Sequence, residues 1–351
     1  MANKVKLFQG CLSGAQIGDA MGMPVESMSR AEILAATNGE GISGFVDPIQ
    51  TRIKDMTRLE AGDSTDDWQL TQILARSLCQ MRQFDIVDIA NEHIIAMARS
   101  IVGWGGTTKQ AIEEVKIYQL TKGKEGRHPE DLAGDYGHNR GAGNGVAMKI
   151  APLALFHSSY QITELPLLLD VLELGRLTHY DPRASSTAAA VALIIRYVIN
   201  QPVSNHDSSI GLLQSIYDNI KYFEKTILKV DSQFDLTMTK WLKKFLKNPA
   251  EYLLADIETL IEKIGTGCFC LESVPFAIAV FLRHPRDFRA GVLEAVNAGG
   301  DTDTTASMAG AMIGANVGLD GIPEEWRTFR PEFYVAPKIG RELHELSLKE
   351  K

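Results

Sequence analysis

An all-α fold, a single compact multi-helix domain, is expected for this sequence on three observations. Apolar residues recur at three- and four-residue spacing through most of the chain, as on one face of a helix. Alternating stretches that would read as strands are nearly absent. Aromatic residues are scarce at 7%, while glycine (30) and methionine (11) are plentiful, which suits closely packed helices better than stacked sheets. The 351 residues, 45% hydrophobic and 23% charged, suffice for a full core and exclude wholesale disorder and collagen-like repeats.

The elements follow in chain order. TDDWQLTQILARSLCQM (65–81) puts Leu70, Ile73, Leu74 and Leu78 on one stripe. Asp85 caps a second helix through Ile86, Ile89, Ala90 and Ile94. Thr107 precedes a third, around Ala111, Ile112 and Val115, which ends near the Gly/Lys-rich stretch 122–127. Residues 129–145 predict a long loop, and a helix is expected from Val146 onward, bent at Pro152. Helices over 164–177, with Pro166 in the first turn, and over 184–199, led in by Asp181 and Pro182, come next. Residues 203–250 are more polar and hold Lys221, Lys225, Lys229, Lys240, Lys243, Lys244 and Lys247. They keep apolar positions at Leu212, Ile216, Ile220 and Phe223, and so predict a peripheral helical cap within the same domain (1–351). Three helices near 250–264, 270–283 and 287–297 precede a small-residue helix from about 303 to 316. No internal repeat and no linker rich in Pro, Ser or Gly divides the chain.

A formal charge of −8 argues against a general binder of phosphate backbones, so no nucleic-acid partner is expected. Cys11, Cys79, Cys268 and Cys270 are too few for a disulfide framework and read as reduced. The Cys268-x-Cys270 pair has no second pair or nearby histidine in sequence and reads as buried small residues. Gln9, Ser13 and Gln16 interrupt the apolar run a signal peptide needs, and VPFAIAVFL (274–282) is too short to span a bilayer. A cytoplasmic monomer with no membrane partner is expected, with secretion by a non-classical route as the alternative.

Two polar segments exceed what a helix start requires. STDDW (64–68) and GGDTDTT (299–305) each lead into an apolar helix. One Ser, Thr or Asp satisfies an N-cap, yet residues 301–305 supply five polar side chains in a row. Buried together, such carboxylates repel one another and lose solvation unless a cation or proton compensates. Asp66, Asp67, Asp301 and Asp303, with the hydroxyls of Thr65 and Thr304, form a hard oxygen set suited to Mg²⁺ or Mn²⁺ rather than zinc. The 12-residue loop of a calcium-binding EF-hand is absent. Upstream, GDAMGMPVE (18–26) offers Gly18 and Gly22 for close packing or a left-handed turn. Its Asp19 and Glu26 join the site only if the fold carries them there; a solvated glutamate is the plain alternative. RGAGNGVAM (140–148) alternates Gly141, Gly143 and Gly145 around Asn144, and such backbone N–H groups can cradle a phosphate. A flexible loop is the alternative, and neither Rossmann nor P-loop spacing is present.

Taken together, these motifs resemble the ADP-ribosylglycohydrolase (ADP-ribosyl hydrolase) family, which includes the dinitrogenase-reductase-activating enzyme and the ADP-ribosylarginine hydrolases. The matching segments are GCLSGAQIGDAMGMPVE (10–26), STDDWQLT (64–71), GAGNGVAMKIAPLAL (141–155), LTHYDPRA (177–184), GTGCFCLESVPFAIAVF (265–281) and AVNAGGDTDTTASMAGAMIGA (295–315). The resemblance implies an all-α fold around two metal ions, usually Mg²⁺ and sometimes Mn²⁺, with Thr65, Asp66, Asp67, Asp301, Asp303 and Thr304 as ligands. It implies Glu26 and Asp67 as the catalytic carboxylates. Gly105, Gly141, Gly143, Asn144 and Gly145 become substrate-binding residues facing the diphosphate, and His179 lines the adenosine side; unaided, His179 reads as an ordinary interhelical histidine.

The implied reaction is magnesium-dependent hydrolysis of the N- or O-glycosidic bond between ADP-ribose and a protein side chain, arginine favoured. An ADP-ribosylated protein is therefore the implied partner. Serine-linked or small-molecule conjugates, or a catalytically silent ADP-ribose binder, are the alternatives. Two positions depart from the family pattern. Trp68 stands where threonine is common and is expected to reshape the leaving-group side. Lys149 replaces a frequent arginine, keeping the charge but losing the bidentate fork.

Overall fold

Helices, and no strand, form among the described residues of the computed structural model, which are 4–50, 52–99, 102–135, 141–158, 163–230 and 234–348. The first third holds α1 (Lys4–Gly22), α2 (Arg30–Ala36), α3 (Asp66–Met81), α4 (Ile86–Arg99) and α5 (Gly106–Leu120). The middle holds α6 (Ala151–Phe156), α7 (Glu164–Thr178), α8 (Pro182–Asn200), α9 (His206–Tyr222) and α10 (Met238–Lys247). The last part holds α11 (Ala250–Leu253), α12 (Ile257–Ile264), α13 (Cys270–Arg283), α14 (Phe288–Ala298), α15 (Thr302–Val317), α16 (Glu324–Arg327) and α17 (Val335–Ser347).

Local chemistry explains where these helices begin. Asp85 accepts from the N–H groups of Val87 and Asp88, as its capping position predicts. Helix α5 starts at Gly106, so Thr107 lies inside it rather than ahead of it. The helix expected from Val146 begins only at Ala151: residues 146–149 are turns, and Pro152 sits in the first turn, where its missing N–H costs nothing and bends nothing. The helix expected over 250–264 divides into α11 and α12 because Asp256 starts a new cap, accepting from Thr259 N–H at 2.7 Å. Of the glycine motif at 140–148, Arg140 lies outside the described residues.

The centre is a pair of antiparallel helices in backbone contact. Gly10, Gly14, Gly18 and Gly22 of α1 lie against Gly314, Gly310, Ala306 and Thr302 of α15. A Cβ on Gly14 would stand 2.0 Å from the Gly310 carbonyl oxygen, and one on Gly18 would stand 2.1 Å from that of Ala306. Gly18 and Gly22 therefore serve close packing within a helix, and the left-handed turn considered for them is not formed. Helices α8, α13, α14 and α17 surround this pair. Helix α1 shows no apolar stripe because every residue from Leu7 to Gly22 is buried, so periodicity does not reveal it.

In the 203–250 region, α9 and α10 pack on α8 and α13. Met238, Trp241, Leu242 and Phe245 of α10 face inward, while Lys240, Lys243, Lys244 and Lys247 are exposed. Buried Glu224 ties this region down by accepting from Ser186 Oγ at 2.6 Å and Met238 N–H at 2.9 Å. No helix among the described residues is long and apolar enough to cross a membrane.

Candidate active site

The glycine row sets the site, because it brings the C-terminal turns of α1 to the N-terminus of α15, and α3 begins at the same end. Asp19 of α1 accepts from Thr65 N–H (2.9 Å), Thr65 Oγ1 (2.9 Å) and Trp68 N–H (2.8 Å). It thus caps α3 from another helix, and Thr65 makes no side-chain cap of its own. Asp301, at the corresponding position of α15, also makes none. Thr65 Oγ1 reaches Asp303 Oδ2 at 3.1 Å, and Thr304 Oγ1 reaches Asp67 Oδ2 at 3.1 Å. All six residues expected as ligands are therefore brought together by α3 and α15, and all are buried.

Glu26 joins them. Its carboxylate and those of Asp301 and Asp303 offer oxygens that all lie within 4.8 Å of one another. The backbone makes this approach possible: Ser27 N–H donates to Gly300 O at 2.7 Å, and Gly300 N–H to Met28 O at 2.8 Å. Gly300, at φ +83°, leaves no room for a side chain, since its Cβ would fall 2.4 Å from the Thr266 carbonyl. Gly103 does the same beside Asp66, where a Cβ would lie 2.4 Å from Oδ1.

So many buried acids hold protons tightly. Burial pushes Glu26 up to about 8, helped by the charges of Asp301 and Asp66. Asp66 rises to about 7 for the same first reason, with Asp19 adding to it. Asp19 rises only to about 6, because the hydrogen bonds from Thr65 and Trp68 favour its ionised form. Asp67 and Asp303 are displaced well upward by burial first and neighbouring carboxylates second. Lys149, fully buried, is lowered by burial to about 8 against the pull of Asp66 and Asp67. Asp67 Oδ1 and Glu26 Oε2 are buried without a hydrogen-bond partner. Unpartnered carboxylate oxygens on a hard-oxygen cluster fit a divalent cation.

A cavity of about 570 Å³ opens over the carboxylates. Glu26, Asp66, Asp67, Asp301, Asp303 and Thr304 line it together with Gly105, the start of α5 (Gly106, Thr107, Thr108) and residues 141–145. The first turn of a helix presents N–H groups that lack partners within the helix, a ready contact for anions. The glycine loop is paired along its backbone rather than free: Asn144 N–H donates to Cys268 O (3.2 Å), and Cys270 N–H to Ala142 O (3.0 Å). Asn144 turns its amide inward, donating to Asp301 Oδ2 at 2.6 Å and Ser273 Oγ at 2.9 Å. His179 lines the same wall, its ring under Gly145, where a Cβ would lie 2.9 Å from Cε1. Burial pushes His179 down to about 3, so its ring is neutral.

Two expectations change. Trp68 packs into the core and does not line the cavity, so it acts on the site through its N–H to Asp19 rather than through its ring. Cys270 is buried as expected, but Cys268 is exposed and faces the cavity. Thr107, Thr108 and Phe269 also line the cavity, and nothing in their sequence context singles them out except proximity to the glycines at 105, 106 and 267.

Comparison with known proteins agrees with this geometry. The family model described as ADP-ribosylglycohydrolase matches residues 2–350. ADP-ribosylhydrolase ARH3 of Mus musculus is 28% identical over 359 residues, covering 98% of this chain and 92% of that protein. ADP-ribosylhydrolase ARH3 of Homo sapiens is 27% identical over 369 residues, covering 99% and 95%. A solved "ADP-ribosylglycohydrolase-related protein complex" shares the fold, with a TM-score of 0.70 at 23% identity over 99% of this chain and 100% of that one. The similarity holds at family level, on the ADP-ribosylhydrolase ARH3 side. It does not single out the dinitrogenase-reductase-activating enzyme or the arginine hydrolases. The chain belongs to the ADP-ribosylglycohydrolase family.

Proposed function

We propose that this protein hydrolyses the glycosidic bond joining ADP-ribose to a protein side chain, arginine in the first place, and releases ADP-ribose. The carrying observation is the set of converging buried carboxylates in a cavity also lined by glycine backbone and a helix start. Two Mg²⁺ ions, or Mn²⁺ in their place, would be held by Thr65, Asp66, Asp67, Asp301, Asp303 and Thr304. When bound, such ions stabilise developing negative charge and orient water and ribose hydroxyls.

The chain's own groups supply the rest. Backbone N–H groups at the start of α5 (Gly105–Thr108), and those of 141–145 apart from the Asn144 N–H already given to Cys268, take the diphosphate, giving an acidic protein the local positive potential its net charge lacks. Asn144 fixes the Asp301 carboxylate, and neutral His179 flanks the adenosine side. Water oxygen bonds to the anomeric carbon as the bond to the side-chain nitrogen or oxygen breaks. Glu26 or Asp67 takes the proton from water or returns it to the leaving group. A floor of carboxylates suits a cationic guanidinium as leaving group. The reading includes action as a monomer in the cytoplasm, with 1–351 as one domain and 203–250 as its helical cap.

The experiment supplies matched arginine-linked and serine-linked ADP-ribosylated peptides in Mg²⁺ or chelator and quantifies free ADP-ribose. Release from the arginine conjugate in Mg²⁺, lost in chelator, is expected. Release from the serine conjugate alone would overturn the linkage, and release from neither by folded, metal-loaded protein would overturn the reaction.

A further inference from the structure

Lys244 and Lys247 of the cap carry charge that neither the packing nor the proposed reaction uses. They stand in the last turn of α10, where cations suit a helix end, and that alone would explain their sign. Their surroundings go further. With Trp241 of the same helix, Glu251 and Tyr252 of α11 and Lys263 of α12, they line a cavity of about 360 Å³. It shares no lining residue with the active-site cavity. Small-molecule sites occupy roughly 300–1,000 Å³, so this one is large enough for a ligand.

The lining is rich in donors and poor in acceptors. Lys263 is paired with Glu251, and its ammonium lies 5.1 Å from the centre of the Tyr252 ring. The ammonium groups of Lys244 and Lys247 make no hydrogen bond or ion pair among the described residues. Trp241 is 5% exposed and packs against Phe245 (5.5 Å between ring centres) and Tyr252 (5.9 Å). Its buried indole N–H nevertheless has no acceptor among the described residues. Indole and ammonium groups can only donate, and a buried donor left without an acceptor costs stability. Three lysines against one glutamate make the lining positive in a chain whose formal charge is −8. The roughly half negative charge at the end of α10, and again at the end of α12, is too small to cancel it. Leu236, Ile264 and Leu271 add an apolar side.

We propose that this cavity binds a small phosphomonoester with an apolar body. Such a molecule brings a charge of about −1.5 to −2 at pH 7 and three acceptor oxygens, which the lining lacks. Lys244 and Lys247 take the phosphoryl oxygens, Trp241 offers a further donor, and the body rests on Leu236, Ile264 and Leu271. One segment joins the two cavities: Ile264 and Leu271 line this one, while Cys268 and Phe269 between them line the active site. Binding here stands apart from the hydrolysis and does not depend on it.

The Trp241 indole N–H is followed in ¹H–¹⁵N spectra of the full chain in chelator, its signal assigned by its loss in Trp241→Phe. Phenyl phosphate, inorganic phosphate, phenol and a phosphotyrosine peptide are titrated in turn. Saturable movement is expected with phenyl phosphate, weaker binding with inorganic phosphate, and no movement with phenol. Lys244→Gln combined with Lys247→Gln is expected to weaken phenyl phosphate on the order of tenfold or more, at unchanged unfolding temperature. Asp303→Ala, altered in the other cavity, is expected to bind like wild type, so loss of the hydrolase reading would leave this site standing. Free phenyl phosphate is expected to bind more tightly than the peptide, and binding by the peptide alone would overturn a small-molecule site. A Trp241 signal unmoved by millimolar phenyl phosphate, moved equally by phenol, or moved as readily in the double lysine variant would overturn the proposal.

Discussion

Asp19 accepts three hydrogen bonds at the start of α3, and so relieves Asp66 and Asp67 of the capping role that their position would give them. Polar residues that a helix start does not consume are available for ligand chemistry, which is why TDD and GGDTDT were conspicuous in the sequence. Asp19 itself was not conspicuous: one aspartate among small residues has no pattern, and its partners lie 46 and 49 positions away. Substituting Asp19→Asn keeps the shape but replaces one acceptor oxygen with a donor facing N–H or O–H groups. The variant is expected to lose about 1–3 kcal/mol of stability, read from denaturant unfolding. Asn144→Ala is a second residue-scale test. It removes the donors to Asp301 and Ser273, and is expected to lower the hydrolysis rate with little change in unfolding temperature.

At the scale of elements, the crossing of α1 and α15 positions the chemistry. Close backbone contact along Gly10, Gly14, Gly18 and Gly22 lets two helix ends meet where bulkier residues would hold them apart. Gly14→Ala places its Cβ 2.0 Å from a carbonyl oxygen that belongs to backbone and cannot rotate away. The variant is expected to cost roughly 1–3 kcal/mol or more, and to weaken metal binding although Gly14 touches no ligand. Amphipathic helices such as α3, α4 and α7 were legible from their stripes, whereas α1 is buried on every side and has no stripe to read. Apolar spacing predicts helix over the turns at 146–149 because it is alike in a buried turn and a short helix. Only the fold shows that residues 142–144, just before these turns, pair with residues 268–270.

For the whole molecule, the acid cluster is expected to tie stability to pH and, on the proposed function, to metal. Glu26, Asp66 and Asp19 have folded-state values of about 8, 7 and 6, above the ordinary carboxylate range near about 4. The folded metal-free protein therefore binds protons more tightly than the unfolded chain. The stability these groups contribute is complete below pH about 4 and is lost as pH rises toward about 8. Thermal unfolding in chelator is expected to fall across that window, and Mg²⁺ to restore it most strongly at the upper end, where ions meet the least competition from protons. Unfolding that is flat with pH, or insensitive to Mg²⁺, would contradict this account of the cluster. The same comparison refines the reading of net charge. Several acidic residues behind the formal −8 are enclosed at one end of a helix pair, shielded from solvent.

The most direct measurement follows ADP-ribose release from one ADP-ribosylated peptide by wild type and Asp303→Ala, over a Mg²⁺ titration that begins in chelator. Wild-type rate is expected to rise from background and saturate with Mg²⁺ occupancy measured on the same sample. Asp303→Ala, folded by its unfolding profile, is expected to fall by at least about 100-fold. A wild-type rate indifferent to chelator, or an Asp303→Ala variant that keeps full activity, would contradict the assignment of these buried carboxylates as the metal-holding catalytic site.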